Sequence, residues 1–173
     1  MTPAAGRAAP DRVVACDESG YEGEKLVGGT TDVFVHGSVD VDLDVADACM
    51  VELRARIKSP ATEYKANHLL REKHSAVLHW ILGPDGPLLS RARIFVVDKT
   101  YFLLDRLLTI LGEGDTDIAV LHRDGPARHG AARWAAFLDA ANNVLRAKER
   151  VEAVPPVDAF CHMLDLLRPE GAL

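Results

Sequence analysis

The sequence predicts an α/β sandwich built around a mixed sheet, and three observations carry that reading. Short apolar, β-branched runs alternate with segments of helical periodicity. Clusters of Gly, Pro and Asp punctuate the boundaries between them. Two of the apolar runs end directly in an acid, at Asp17 and at Asp98.

The first strand is expected over residues 12–16, where Val13, Val14, Ala15 and Cys16 are stopped by Asp17-Glu18-Ser19-Gly20. Gly23, Gly28 and Gly29 then mark a loop or hairpin connection, and residues 31–39 are β-branched and partly alternating. Val45, Cys49, Leu53 and Ile57 recur at helical spacing, with Asp42 or Asp44 as the N-cap and Ser59-Pro60 as the stop. Residues 62–66 read as a short strand and residues 69–82 as a helix closed by Gly83-Pro84-Asp85-Gly86-Pro87. The clearest strand is Ala92 to Val97, followed by Asp98-Lys99 and an apolar helix over 101–111. A further short strand is expected at 117–121. Trp134, Phe137, Leu138, Ala141 and Leu145 trace one face of a long helix, and Pro155-Pro156 introduces a last helix. Its stripe holds Val157, Phe160, Cys161, Leu164 and Leu167, which must pack on the chain's own sheet or cover a partner's exposed patch.

At 173 residues the chain suits one domain, expected over 12–173, able to bury roughly 70% of its unfolded surface. Residues 1–11, rich in Ala and Pro, read as a disordered leader without a signal-peptide core, so a cytoplasmic location is expected. No run approaches the ~18 apolar residues of a membrane-spanning helix. The net charge of −6 disfavours non-specific coating of nucleic acid, although Arg54, Arg56, Lys58, Lys65, Arg71 and Lys73 cluster locally. Cys16, Cys49 and Cys161 lack zinc-ligand spacing and read as buried reduced thiols.

Asp17 and Asp98 are the candidates for chemistry, because ligand sites of α/β sheets gather at the carboxyl ends of strands. Glu63 lies in a third strand-like segment. Grouped carboxylates repel one another and call for a hard cation, Mg²⁺ or Mn²⁺. As single residues, acids also end strands because they favour turns.

Three motifs in order extend this reading: Asp17-Glu18-Ser19-Gly20 after the first strand, Glu63-Tyr64-Lys65 midway, and Val96-Val97-Asp98-Lys99 at the end of the apolar strand. Over residues 12–111 the chain resembles the bacterial family known as domain of unknown function 3800. That resemblance implies a ribonuclease H-like fold, a mixed central sheet flanked by helices. By analogy with ribonuclease H-like nucleases it implies a metal-dependent phosphodiesterase acting on nucleic acid. Asp17, Glu63 and Asp98 would be the metal ligands, converging to about 4–6 Å. Lys65 and Lys99 would offset charge on the phosphate. The family's further C-terminal acid has no match here. Asp158 and Asp165 are the candidates for it, and each equally fits a solvated helix position.

A second function class is a catalytically silent module that keeps the fold and forms a homodimer or binds a partner protein. Other patterns point nowhere. Asp40, Asp42 and Asp44 alternate as in a calcium loop, but Val45 stands where Gly is required and Val51 where Glu is. His68, His74 and His79 form no HExxH pattern, and Gly28-Gly29 lacks the surroundings of a phosphate-binding loop.

Overall fold

The computed structural model describes residues 13–61, 63–146 and 155–168, so the expected leader lies outside the described residues. Three strands, β1 (Ala15–Ser19), β2 (Val33–Val39) and β3 (Ala92–Asp98), form one sheet in the order β1-β2-β3. Seven helices accompany them among the described residues: α1 (Leu43–Ile57), α2 (Ala66–Leu69), α3 (Ser75–Leu82), α4 (Lys99–Leu111), α5 (Ile118–His129), α6 (Ala131–Leu145) and α7 (Pro156–Leu167). The protein is therefore mixed α/β, as the alternating pattern predicts.

Several expectations are corrected. The sheet is antiparallel rather than mixed. Its β2–β3 ladder is bracketed by Asp40 N donating to Arg91 O at 3.0 Å and Lys99 N donating to Asp32 O at 2.9 Å. The first strand starts later than expected, so Asp17 and Glu18 lie inside β1 and Val13 and Val14 precede it. An edge strand tolerates such acids because its side chains stay in water, and all five β1 residues are exposed. Glu63 to Lys65 form no strand, since Lys65 caps the single turn of α2; Thr62 lies outside the described residues. The helix expected over 69–82 is broken into a 3₁₀ turn, Glu72–His74, and α3. The strand expected at 117–121 is the start of α5, because the Asp117 carboxylate accepts the Val120 amide at 3.1 Å and caps a helix there. Cys16 and Cys161 are exposed rather than buried.

The chain divides into two compact units, each with its own core. The first comprises residues 13–17, 36–61 and 63–95, and the second residues 18–35, 96–146 and 155–168. The division cuts each strand in two. In the first unit Leu53 and Ile57 of α1 pack with Val77 of α3, joined by Met50, Tyr64, Leu69 and Trp80. In the second unit Leu103, Leu104 and Leu107 of α4 pack with Trp134, Phe137, Leu138 and Ala141 of α6 and Phe160 of α7. Trp134, Phe137 and Phe160 stand in an aromatic row with centroids 5.1 and 5.9 Å apart. The last helix thus packs on α6, through Phe160, Met163, Leu164 and Leu167, while Val157 and Cys161 of the expected stripe face solvent. Neither core includes a side chain from any of the three strands.

Candidate functional site

The sequence-derived candidates fall into two groups, one in each unit. In the first unit Asp17 sits on β1 beside Gly37 of β2, where a Cβ on Gly37 would lie 3.8 Å from the Asp17 carbonyl oxygen. Side chains two residues apart share a face of a strand, so Ala15 accompanies Asp17, Gly37 accompanies Val39, and Ala92 accompanies Ile94. These residues line a shallow groove of about 320 Å³. Gly37 and the two alanines leave its floor low, and Ile94 stands beside it, 73% exposed. Glu63 and Lys65 form an exposed ion pair at 2.5 Å. Glu63 first, and Asp17 more weakly, raise the pKa of Lys65. Asp17 thus acts electrostatically on Lys65, although the two are more than forty positions apart in the chain.

Close to that pair His68 and His74 stack at 4.9 Å between centroids, with Tyr64 beside His68 at 5.8 Å. His74 is buried, and the Nε2 atoms of both imidazoles lack a hydrogen-bond partner. Burial, then the charges of Lys73, His68 and Arg71, pushes the pKa of His74 down.

In the second unit Asp98 ends β3 and caps α4. Its Oδ1 accepts the Tyr101 amide at 2.8 Å and lies 3.3 Å from His122 Nε2. Lys99 turns inward and is 3% exposed. Its Nζ donates to Glu22 Oε2 at 3.1 Å and to Thr31 O at 2.7 Å. Glu22 Oε1 accepts from Thr30 N at 2.8 Å and from Thr30 Oγ1 at 2.6 Å. Thr30 through both donors, followed by Lys99, lowers the Glu22 pKa to about 2. Gly29 makes room for this arrangement, since a Cβ there would collide with the Glu22 carboxylate.

Sequence reasoning missed Glu22, Thr30, Thr31 and His122. The available signal was Glu22 standing between Gly20 and Gly23, with Gly28-Gly29-Thr30-Thr31 downstream: an acid framed by residues that let backbone approach it closely. Among the described residues no group of three or more His, Cys, Asp or Glu side chains is gathered as a metal ion requires. Comparison with protein-family models, curated proteins and solved structures gives no match.

Proposed function

We propose that this chain is an assembly module whose sheet surface in the first unit is covered by a second copy of the chain. One observation carries the reading: neither hydrophobic core includes a strand side chain, and Ile94 of β3, which lines the groove, stays 73% exposed. A three-stranded sheet needs a covered hydrophobic face for stability, and on the groove face Ile94 has no cover from its own unit's core. Ile94 lines the same groove as the small residues Gly37, Ala15 and Ala92, which leave room for a two-fold related copy to place its own Ile94 there. Size-exclusion chromatography with light scattering tests it. The wild type is expected to run as a dimer and Ile94→Glu as a folded monomer, while a monomeric wild type ends the reading.

A metal-dependent phosphodiesterase acting on nucleic acid, with a ribonuclease H-like fold, is the second reading. Its support is the resemblance together with the electrostatic effect of Asp17 on Lys65. Mn²⁺ at millimolar concentration would then raise the melting temperature by mass action. Asp17→Asn would abolish that rise, and an unchanged wild-type melting curve removes the reading.

A further inference from the structure

The second unit contains a cavity of about 310 Å³ that neither function reading uses. Its walls are Tyr21, Leu26, Phe34, Val97 and Phe102, with the Lys99–Glu22 pair beside them. We propose that this cavity is a binding site for a neutral, largely apolar small molecule of one- or two-ring size, held by the apolar walls and oriented by the Lys99 ammonium.

The segment from Gly20 to Thr31 is tied at several points. Leu26 N and Val27 N donate to Asn142 Oδ1 at 2.9 and 3.4 Å, and Asn142 Nδ2 donates to Glu24 O at 2.9 Å. Asn142 itself is buried on α6. At the other end Lys99 holds Thr31 O, and Thr30 holds Glu22. Gly20 adopts φ +83°, and a Cβ there would strike the Val33 carbonyl, so the turn approaches β2 as closely as backbone allows. The walls are thus fixed by these hydrogen bonds together with the packing of Leu26 and Val27 on the second core, and the cavity cannot collapse without breaking them. Predominantly apolar pockets with fixed walls take up apolar molecules. The volume falls at the lower end of ligand pockets, roughly 300–1,000 Å³.

Charge then selects the occupant. Glu22 is ionised across the physiological range, and each of its oxygens is already bonded. An anionic ligand would meet that carboxylate, and a cationic one would face the Lys99 ammonium. The ammonium has three donors, and Glu22 and Thr31 use two. One hydrogen remains for a carbonyl or hydroxyl oxygen on a neutral ligand.

The test uses 2-naphthol as a neutral probe and 2-naphthoate as its anionic counterpart, each titrated into the whole chain. Binding is followed by calorimetry and by amide resonances. Saturable binding of 2-naphthol is expected, shifting the amides of Gly20, Tyr21, Gly23 and Lys25, with 2-naphthoate weaker by at least about tenfold. Val97→Phe and Phe34→Trp, which fill the space from two different walls, should each reduce 2-naphthol affinity by about tenfold or more without lowering the melting temperature. Equal affinity for the two probes overturns the proposal, as does the absence of saturable binding up to the solubility limit of 2-naphthol. Resonance shifts confined to residues away from the cavity overturn it even if both filling variants fail to fold.

Discussion

Lys99 Nζ and Glu22 Oε2 lie 3.1 Å apart within the second unit, although 77 positions separate the two residues in the chain. The Lys99 side chain is only 4% exposed, so its charge depends on this partner and on the Thr31 carbonyl. Removing the carboxylate leaves a buried ammonium short of a counter-charge, a more damaging state than removing both charges together. Glu22→Gln is therefore expected to lower the melting temperature at neutral pH. The double variant Glu22→Gln/Lys99→Met should recover part of the loss, which thermal melts of the three proteins would measure.

The same pair sets a dependence on acid. Thr30 and Lys99 hold the Glu22 carboxyl near 2 instead of 4.5, so on acidification the unfolded chain binds this proton before the folded one. The stabilisation is complete above about 4.5 and is lost as pH falls towards about 2. Denaturant titrations across that window should show a shallower pH slope for Glu22→Gln than for the wild type.

His74 acts in a different window. Burial and then Lys73, His68 and Arg71 depress its pKa below the ordinary 6.5, so the fold holds it neutral while the unfolded chain takes up a proton. Stability falls as pH drops below 6.5, the reverse of what a histidine with a carboxylate partner would give. Melting at about pH 7.5 and about pH 5.5 should therefore show a decrease that His74→Leu blunts. An undiminished decrease in the variant would place the titrating group elsewhere.

Gly125 on α5 is buried against Trp134, and a Cβ there would sit 2.5 Å from Cζ2 and 2.6 Å from Cε2 of the indole. Ala in place of a helical Gly gains about 1 kcal/mol of propensity. Overpacking a fixed ring costs about 1–3 kcal/mol. The ring cannot swing away easily, since Phe137 and His129 stand against it at 5.1 and 5.9 Å between centroids. Gly125→Ala is expected to destabilise the protein on chemical denaturation, against the direction of helix propensity.

Asp98 offers a test that separates structural from metal-binding roles. As the cap of α4, its replacement by Ala should cost about 1 kcal/mol, in line with the lost bond to the Tyr101 amide. Asp98→Asn keeps an acceptor oxygen and should retain most of that stability. If Mn²⁺ stabilises the wild type and Asp98→Asn removes the effect without a comparable loss of stability, Asp98 is a metal ligand as well as a cap.

The alternation of strands and helices was legible because the strong apolar runs at 92–97 and 33–39 and the long helix faces at 45–57 and 134–145 each follow one period. Residues 117–121 misled for a local reason. Ile118, Val120 and Leu121 read as a β run, but Asp117, three residues before Val120, caps a helix there. Asp17 was placed after its strand because an acid usually terminates one, whereas an exposed edge lets β1 continue through it. Of the candidate site, Asp98-Lys99 stood out in sequence, but the partners of Lys99 did not. Glu22 and Thr31 lie in a glycine-rich stretch with no periodicity, and only the folded chain brings them to α4.

Asn142 has a consequence for the order in which the molecule is made. Its amide side chain holds Leu26, Val27 and Glu24 across 115 to 118 positions of chain. A chain emerging from the ribosome at about 5–20 residues per second presents residues 24–27 several seconds before Asn142 exists to receive them. Until then the Leu26 and Val27 amides have no such acceptor, and closing so long a loop is slow even once the helix is complete. In the finished protein the same two amides should exchange their hydrogens with solvent only when α6 lets go, so their protection reports the release of a distant helix rather than the mobility of their own loop.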